Sequence, residues 1–465
     1  QSRSSAASDV YKRQVILYVP REEYTMNIDE LKRNVVKAID DNKDLIIKTA
    51  RKIYSTPEYG YKEFKTTETT SKFLKNLGLD VKENLAITGC KTVLDGAKPG
   101  PNIAILGELD AISCASHKDA VETGAVHACG HNHQVAGMLG ATLGLVKSGA
   151  LKQLAGKVTA IATPSEEYIE LDYRDKLRKE GKITYLGGKQ ELIKKGYFDD
   201  VDMAMMFHSQ DMDGKDALVG PVSNGFIGKK VHFIGKQSHA GNAPEKGINA
   251  LNAATLAMNN IHAQRETFKD SDRVRVHYII TKGGTVVNSV PDNVQMEAYV
   301  RARTIAGMLD ASKKVDRAIK AGAMAVGAKV EITNIPGYLP ILDYPEFDEL
   351  FKNNLLLLGT PDDKIIKGGD FTGSFDIGDV SHIMPTIHPM IGGVKGELHT
   401  KDFGVVDEET AYLLPAKAMA LTVVDLLYND ASVAKGILSN FKPAMTKKEY
   451  LDFLTSVDNV EDFEG

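Results

Sequence analysis

Three short apolar runs constrain this chain most, because each one ends on a residue type that can bind a cation. They are residues 102–106 (NIAIL), 156–163 (GKVTAIAT) and 201–207 (VDMAMMF). Runs of this length and composition read as buried strands of a largely parallel sheet, covered on both faces. Directly after them come Gly107-Glu108-Leu109-Asp110-Ala111, Pro164-Ser165-Glu166-Glu167 and His208. In open α/β sheets ligands bind outside the carboxyl ends of the strands. A turn with carboxylates or a lone histidine at one strand end is commonplace. Three in succession predict a shared site.

A fourth segment carries the densest chemistry. Residues 127–133, His-Ala-Cys-Gly-His-Asn-His, place three imidazoles and a thiol within seven positions of a chain that has only 12 His and 3 Cys. Thiolate and imidazole are donors favoured by Zn²⁺ and its neighbours. Taken locally, the segment reads equally as a polar loop before a helix, since the small-residue run from 135 to 144 is helical in character. Cys129 and His131 alternate, so on an extended segment or tight loop both face one centre. In Glu166-Glu167, adjacent carboxylates of an extended segment face opposite sides. One of the pair is free to bind metal while the other acts as a general base, the division of labour that metal-assisted hydrolysis requires.

Residues 1–14 are set apart. SSAASDVYKRQ resembles the translation of a sequencing-library adapter and has no apolar h-region of a signal peptide. Apolar spacing predicts one amphipathic helix over 27–53 and another over 67–77, ending at Gly78. Residues 168–197 read as a charge-rich helical excursion broken at Gly187-Gly188, shaping the rim of the pocket. From about residue 223 the pattern becomes β-α-β-β-α-β, the ferredoxin-like order. It predicts a compact domain over 223–335 inserted into a larger one that occupies 27–222 and 336–440. Within the second part, the glycine-rich stretch 368–379 matches neither a P-loop nor a dinucleotide fingerprint. A final long helix is expected over 408–427. Residues 441–465 read as a tail with one helix and an acidic end.

Composition closes off several classes. A formal net charge of −5 over 465 residues leaves no electrostatic footprint for nucleic acid or an anionic membrane. No run of eighteen apolar residues predicts a membrane-spanning helix. Cys90, Cys114 and Cys129 are too few and too odd in number for a disulfide framework, which points to a reducing, cytoplasmic setting.

With these residues laid out, the chain resembles the M20 family of metal-dependent peptidases and amidohydrolases. Within it, the resemblance is to the subfamily of aminobenzoyl-glutamate hydrolase subunits and auxin-conjugate amidohydrolases. The segments that carry it run from about residue 31 to about 427: PEYGYKEFKT, GELDAI, HACGHNHQVAGMLGA, TPSEE, FHSQD, SHAGNAPEKGINALNAA, GGTVVNSVPD and GELHTKDF. The resemblance implies an α/β catalytic domain, with a central mixed sheet flanked by helices, that holds two divalent ions (Mn or Zn). A ferredoxin-like lid domain would mediate a homodimer. Cys129, His131, Glu167, His208 and His399 would be the metal ligands, Glu166 the general base and Asp110 a residue orienting a ligand. His239 of SHAGNAP would reach into the partner subunit's site to stabilise the oxyanion. Asn288 and Arg301 would contact substrate, Arg301 through a carboxylate. Two departures stand out: Asn132 replaces the Asp that follows the CGH triplet in many relatives, and the 168–186 excursion is longer than their glycine-rich link.

The implied activity is hydrolysis of an amide bond in a small carboxylate-bearing substrate, such as an N-acyl amino acid or an aminobenzoyl-glutamate-like conjugate. The alternatives are a dipeptidase or carboxypeptidase of the same family, or a catalytically silent ligand-binding relative. A closed structural zinc site fits poorly, because structural sites are sequence-local whereas these residues run from Cys129 to His399.

Overall fold

The computed structural model describes residues 26–465, so the segment set apart at the N-terminus lies outside the described residues. The three apolar runs form adjacent strands of a six-stranded mixed sheet. Lys98–Glu108 lies between Ala155–Thr163 and Met203–Met205 and runs parallel to both. Gly89–Asp95 and Lys82–Leu85 extend one side antiparallel, and Thr386–Ile387 closes the other.

Strand alternation explains why these runs are apolar throughout. Ile103 and Ile105 face one core, together with Val158, Ala160 and Met205. Ala104 and Leu106 face a second core with Ile161 and Ala204. Side chains of period two serve opposite faces, so a sheet covered on both sides needs no polar positions.

The first core is roofed by helices, among them His131–Lys147 and Leu414–Asn440. Together with the turn before it, as Glu409–Asn440, the second of these is apolar and long enough to span a bilayer, yet 78% of its most apolar window is buried inside the protein. Its apolarity is that of a core helix. It is interrupted at Tyr428–Ala431, where Asn429, Asp430 and Ala431 have φ of 51–57°, just beyond the expected end at residue 427. The single helix expected over 27–53 is in fact two, Ile28–Asp40 and Lys43–Tyr54. Asp40-Asp41-Asn42 breaks it, because such short polar side chains compete for backbone hydrogen bonds; the Asn42 amide donates to the Ala38 carbonyl at 2.8 Å. The apolar stripe survives the break. Leu31, Val35 and Ile39 share a core with Ile46, Ala50 and Ile53.

The lid domain is a five-stranded antiparallel sheet in the order Arg275–Lys282, Asn293–Ala302, Gly225–Ile234, Lys329–Pro336 and Asn459–Phe463. Helices Ala250–Ala263 and Ile305–Met324 cover one face through Ala254, Ala257, Val315 and Ile319. The fifth strand comes from the end of the chain. What reads in sequence as a tail is a capped helix, Lys447–Val457, with Thr446 and Glu449 in reciprocal hydrogen bonds, followed by this strand. Tyr450 and Leu454 of that helix are buried in the second core of the catalytic domain, so the C-terminus ties the two domains together.

Inside the second core, Gly188 runs tight against the turn that carries Glu166 and Glu167. Its N–H donates to the Ser165 carbonyl at 3.0 Å, and a Cβ here would fall 1.7 Å from the Pro164 carbonyl oxygen. Gly188→Ala is therefore expected to cost ~1–3 kcal/mol of stability, the usual range for overpacking. The measurement is the urea midpoint, and an unchanged midpoint would contradict this packing.

Candidate active site

The carboxyl ends of the three parallel strands meet the turn at Cys129. Gly130 adopts the left-handed conformation, φ 82°, between Cys129 and His131, and His131 is the first residue of helix His131–Lys147. A residue with a side chain is strained at that φ, and a Cβ would also crowd His133 and Ser209 at 3.1 Å. This turn, rather than an extended segment, aims the thiol and the imidazole at one centre. Ser165, immediately before Glu166, and His399 have φ of 55° and 62°. Such backbone outliers in non-glycine residues cluster at functional sites.

Two donor triads share the Cys129 sulfur. Cys129, His131 and His208 form one, Cys129, Glu167 and His399 the other, with the donor atoms of each triad within 4.8 Å of one another. The Sγ lies 3.3 Å from His208 Nε2 and 3.2 Å from His399 Nε2. His399 Nε2 is 3.0 Å from Glu167 Oε1. Backbone carbonyls orient two of the rings. His131 Nδ1 donates to the Asp110 carbonyl at 2.9 Å, with the Asp110 carboxylate at 3.1 Å. His208 Nδ1 donates to the Ser209 carbonyl at 2.8 Å. Carbonyls only accept, so both rings turn Nε2 inward, the arrangement that positions metal-binding histidines. Asp110 also accepts the Glu167 N–H at 2.8 Å, fixing two of the five candidates at once.

The electrostatics match the geometry. Burial is the largest influence on the Cys129 thiol and pushes it up, as Glu167 does, but His208, His399 and His131 outweigh both and bring it down to about 6. Glu167 above all holds His399 up at about 12. Burial, and then Glu108, Glu167 and Asp376, hold the Glu166 carboxyl well above the usual range. Glu108 Oε2, His131 Nε2 and Glu167 Oε1 are buried and have no hydrogen-bond partner. Unpaired buried donors and acceptors of this kind are rare. Thiolate, imidazole and carboxylate atoms converging with unused lone pairs fit a divalent ion, and in this arrangement they fit two.

Beside the triads opens a cavity of about 550 Å³, lined by Glu166, Glu167, His399 and Arg301 among others. Arg301 comes from the lid strand Asn293–Ala302 and donates to Ser374 Oγ at 2.7 Å. Its guanidinium lies over the Phe226 and Tyr299 rings, 5.1 and 5.5 Å from their centroids. Two expected residues are elsewhere. His239 and Asn288 are exposed on the lid, joined by the Ala240 N–H donating to the Asn288 carbonyl at 2.9 Å, and neither lines the cavity of its own chain. His239 Nδ1 accepts the N–H groups of Gly241 and Asn242 at 3.2 and 3.0 Å, which leaves Nε2–H pointing outward as a donor.

Sequence reasoning missed three contributors. Arg174 and Lys189 come from the excursion, which reinforces the site from behind as well as lending Tyr168 and Ile169 to the rim. Arg174 donates to the carbonyls of Leu186 and Glu167. Lys189 pairs with Glu108 at 2.5 Å and also with Asp376, the third residue missed, from the glycine-rich stretch. Nothing in a charge-rich run marks the one lysine that folds inward.

Known proteins are similar to this chain over most of its length. Residues 223–325 match the M20 family's peptidase dimerisation domain. The mouse Xaa-Arg dipeptidase (Mus musculus) is 28% identical over 457 residues, which cover 93% of this chain and 97% of that protein. Among solved structures, a putative aminohydrolase from methicillin-resistant Staphylococcus aureus has a TM-score of 0.68 at 22% identity, covering 85% of this chain and all of that one. A dinuclear metal binding peptidase of the M20 family from Bacillus subtilis has a TM-score of 0.61 at 20% identity, covering 83% and 98%. Residues 223–325 thus carry the peptidase dimerisation domain of the M20 family, and the relatives that this chain is similar to are named as dipeptidases, carboxypeptidases and amidohydrolases, enzymes that hydrolyse carbon–nitrogen bonds.

Proposed function

We propose that this chain hydrolyses the amide bond of a small substrate bearing a free carboxylate, such as an N-acyl amino acid or an aminobenzoyl-glutamate-like conjugate. The observation that carries the reading is the pair of donor triads sharing Cys129, with Glu166 at their edge. His131, His208 and Cys129 would hold one divalent ion, and Cys129, Glu167 and His399 the other. Two such ions supply Lewis acidity and a water acidic enough to attack near neutral pH.

The chain's own residues do the rest. Glu166 accepts the proton of the attacking water at its carboxylate and delivers it to the leaving nitrogen. Its raised proton affinity suits that task, and cations alongside would draw it back toward neutrality. Arg301, with Arg275 and His277 on the adjoining strand of the same wall, receives the substrate carboxylate. His239, exposed on the lid with Nε2–H outward, donates to the developing oxyanion in the site of a second copy, so the working unit is a homodimer built through the lid.

A second reading has its own support. Asp211, paired with Lys395 at 3.0 Å, and Glu397 also line the cavity, and a dipeptide with a basic C-terminal residue would pair with both wall chemistries. The similarity to an Xaa-Arg dipeptidase over nearly the whole chain points the same way. A panel of N-acyl amino acids set against dipeptides with neutral and basic C-terminal residues separates the readings by kcat/KM.

Glu166→Ala should leave both metal equivalents bound and lower kcat by ~10²–10⁴, the general-base contribution; near-normal turnover would remove Glu166 from the mechanism. Arg301→Met should raise KM for carboxylate-bearing substrates by ~10–100-fold, the equivalent of one charged hydrogen bond, and spare their amidated analogues. A uniform loss on both would contradict carboxylate recognition. Co-expressed Glu166→Ala and His239→Ala chains should recover roughly a quarter of wild-type activity through mixed dimers with one intact site. No recovery above the parent variants would refute donation between subunits.

A further inference from the structure

We propose that Glu108 is an additional ligand for the cation held by Cys129, His131 and His208, and that Lys189 and Asp376 position it. This rests on the two-cation reading above and extends it to a residue outside the five expected ligands.

Glu108 is the last residue of strand Lys98–Glu108 and has no exposed surface. Its N–H donates to Gln134 Oε1 at 3.1 Å, which fixes the backbone. The two carboxylate oxygens have different surroundings. Oε1 takes the Lys189 ammonium at 2.5 Å. Oε2 has no hydrogen-bond partner and stands 3.1 Å from His131 Nε2, which has none either. His131 Nδ1 already donates to the Asp110 carbonyl, so Nε2 of the neutral ring and Oε2 face each other as two acceptors, an arrangement that needs a cation or a proton between them. Glu108, His131 and Glu166 bring their donor atoms within 4.8 Å of one another, a third grouping that meets the first triad at His131.

Charge balance leads to the same place. Lys189 bridges Glu108 and Asp376, all three without exposed surface. The Lys189 N–H also donates to Asp376 Oδ2 at 3.2 Å, so both ends of this residue are held. Two carboxylates against one ammonium leave a net negative charge deep in the protein. An unmatched buried charge is costly, and a cation at Oε2 would match it. The lysine cannot do so itself, because its ammonium is on the opposite oxygen. It acts as a positioning residue that pins Oε1 and leaves Oε2 to the ion.

The test uses metal content and affinity of the purified chain, with Co²⁺ as the probe. Co²⁺ absorption bands report coordination number independently of activity. Wild type should bind two equivalents. Glu108→Gln should keep one and bind the other at least ~100-fold more weakly, beyond the ~10–100-fold typical of residues that only orient a ligand. Its remaining Co²⁺ bands should show the loss of one oxygen donor from one ion. Lys189→Met with Asp376→Asn preserves the net charge and should weaken that same equivalent with shifted bands, whereas a purely structural bridge would lower thermal stability and leave the bands alone. If Glu108→Gln does not fold, Glu108→Asp, which keeps the charge and withdraws the oxygen, takes its place with the same expected weakening. Two equivalents of wild-type affinity with unchanged bands in either Glu108 variant would overturn the proposal and leave the five-ligand site standing. Wild type binding fewer than two equivalents would overturn the two-cation reading itself.

Discussion

The site depends on one constraint: the Cys129 sulfur sits between two inward-turned imidazoles, with His208 Nε2 at 3.3 Å and His399 Nε2 at 3.2 Å. These rings come from segments far apart in the chain, and they meet only because the sheet delivers them. His208 follows the strand Met203–Met205, while His399 is pinned through its N–H to the Ala128 carbonyl at 2.9 Å, one residue before the thiol. A left-handed glycine between Cys129 and His131 completes the convergence. If any of these backbone anchors moved, the donor atoms would separate while the core remained packed.

Holding so much charge under cover requires compensation, and the chain provides it locally. Asp110 accepts from both His131 and the Glu167 N–H. Arg174, buried between the Tyr61 and Tyr168 rings at 5.8 and 5.6 Å, caps the Glu167 carbonyl. Lys189 bridges Glu108 and Asp376 and offsets one of their two charges. Two of these three supports come from residues 168–197, so this segment has a structural purpose. It carries two cations into the region behind the ligand strands, where low dielectric makes each pairing count.

Much of this was legible beforehand, for physical reasons. The apolar runs ending in Glu108, Glu166 and His208 signalled a sheet covered on both sides because only such strands lack polar alternation. The β-α-β-β-α-β order over 223–335 marked the lid, whose sheet has one face covered by helices. The break at Asp41-Asn42 was missed because an amphipathic stripe continues across it undisturbed. The C-terminal strand Asn459–Phe463 was missed because its residues are polar and acidic, and an edge strand needs few apolar positions. The inward turn of Lys189 and Asp376 was invisible because burial of a paired charge is a tertiary event that leaves no local pattern. His239 and Asn288 were legible as motif residues, but both are exposed on the lid and neither lines the cavity of its own chain.

The central claim is that side chains scattered from Cys129 to His399 hold two cations around one sulfur. Anomalous diffraction from crystals of the metal-loaded protein, recorded at the absorption edge of the bound metal, tests it directly. The account predicts two peaks about 3.5–4 Å apart, the usual spacing of paired catalytic ions, both within bonding distance of Cys129 Sγ. A single peak, or two peaks of which one lies away from the sulfur, would contradict it.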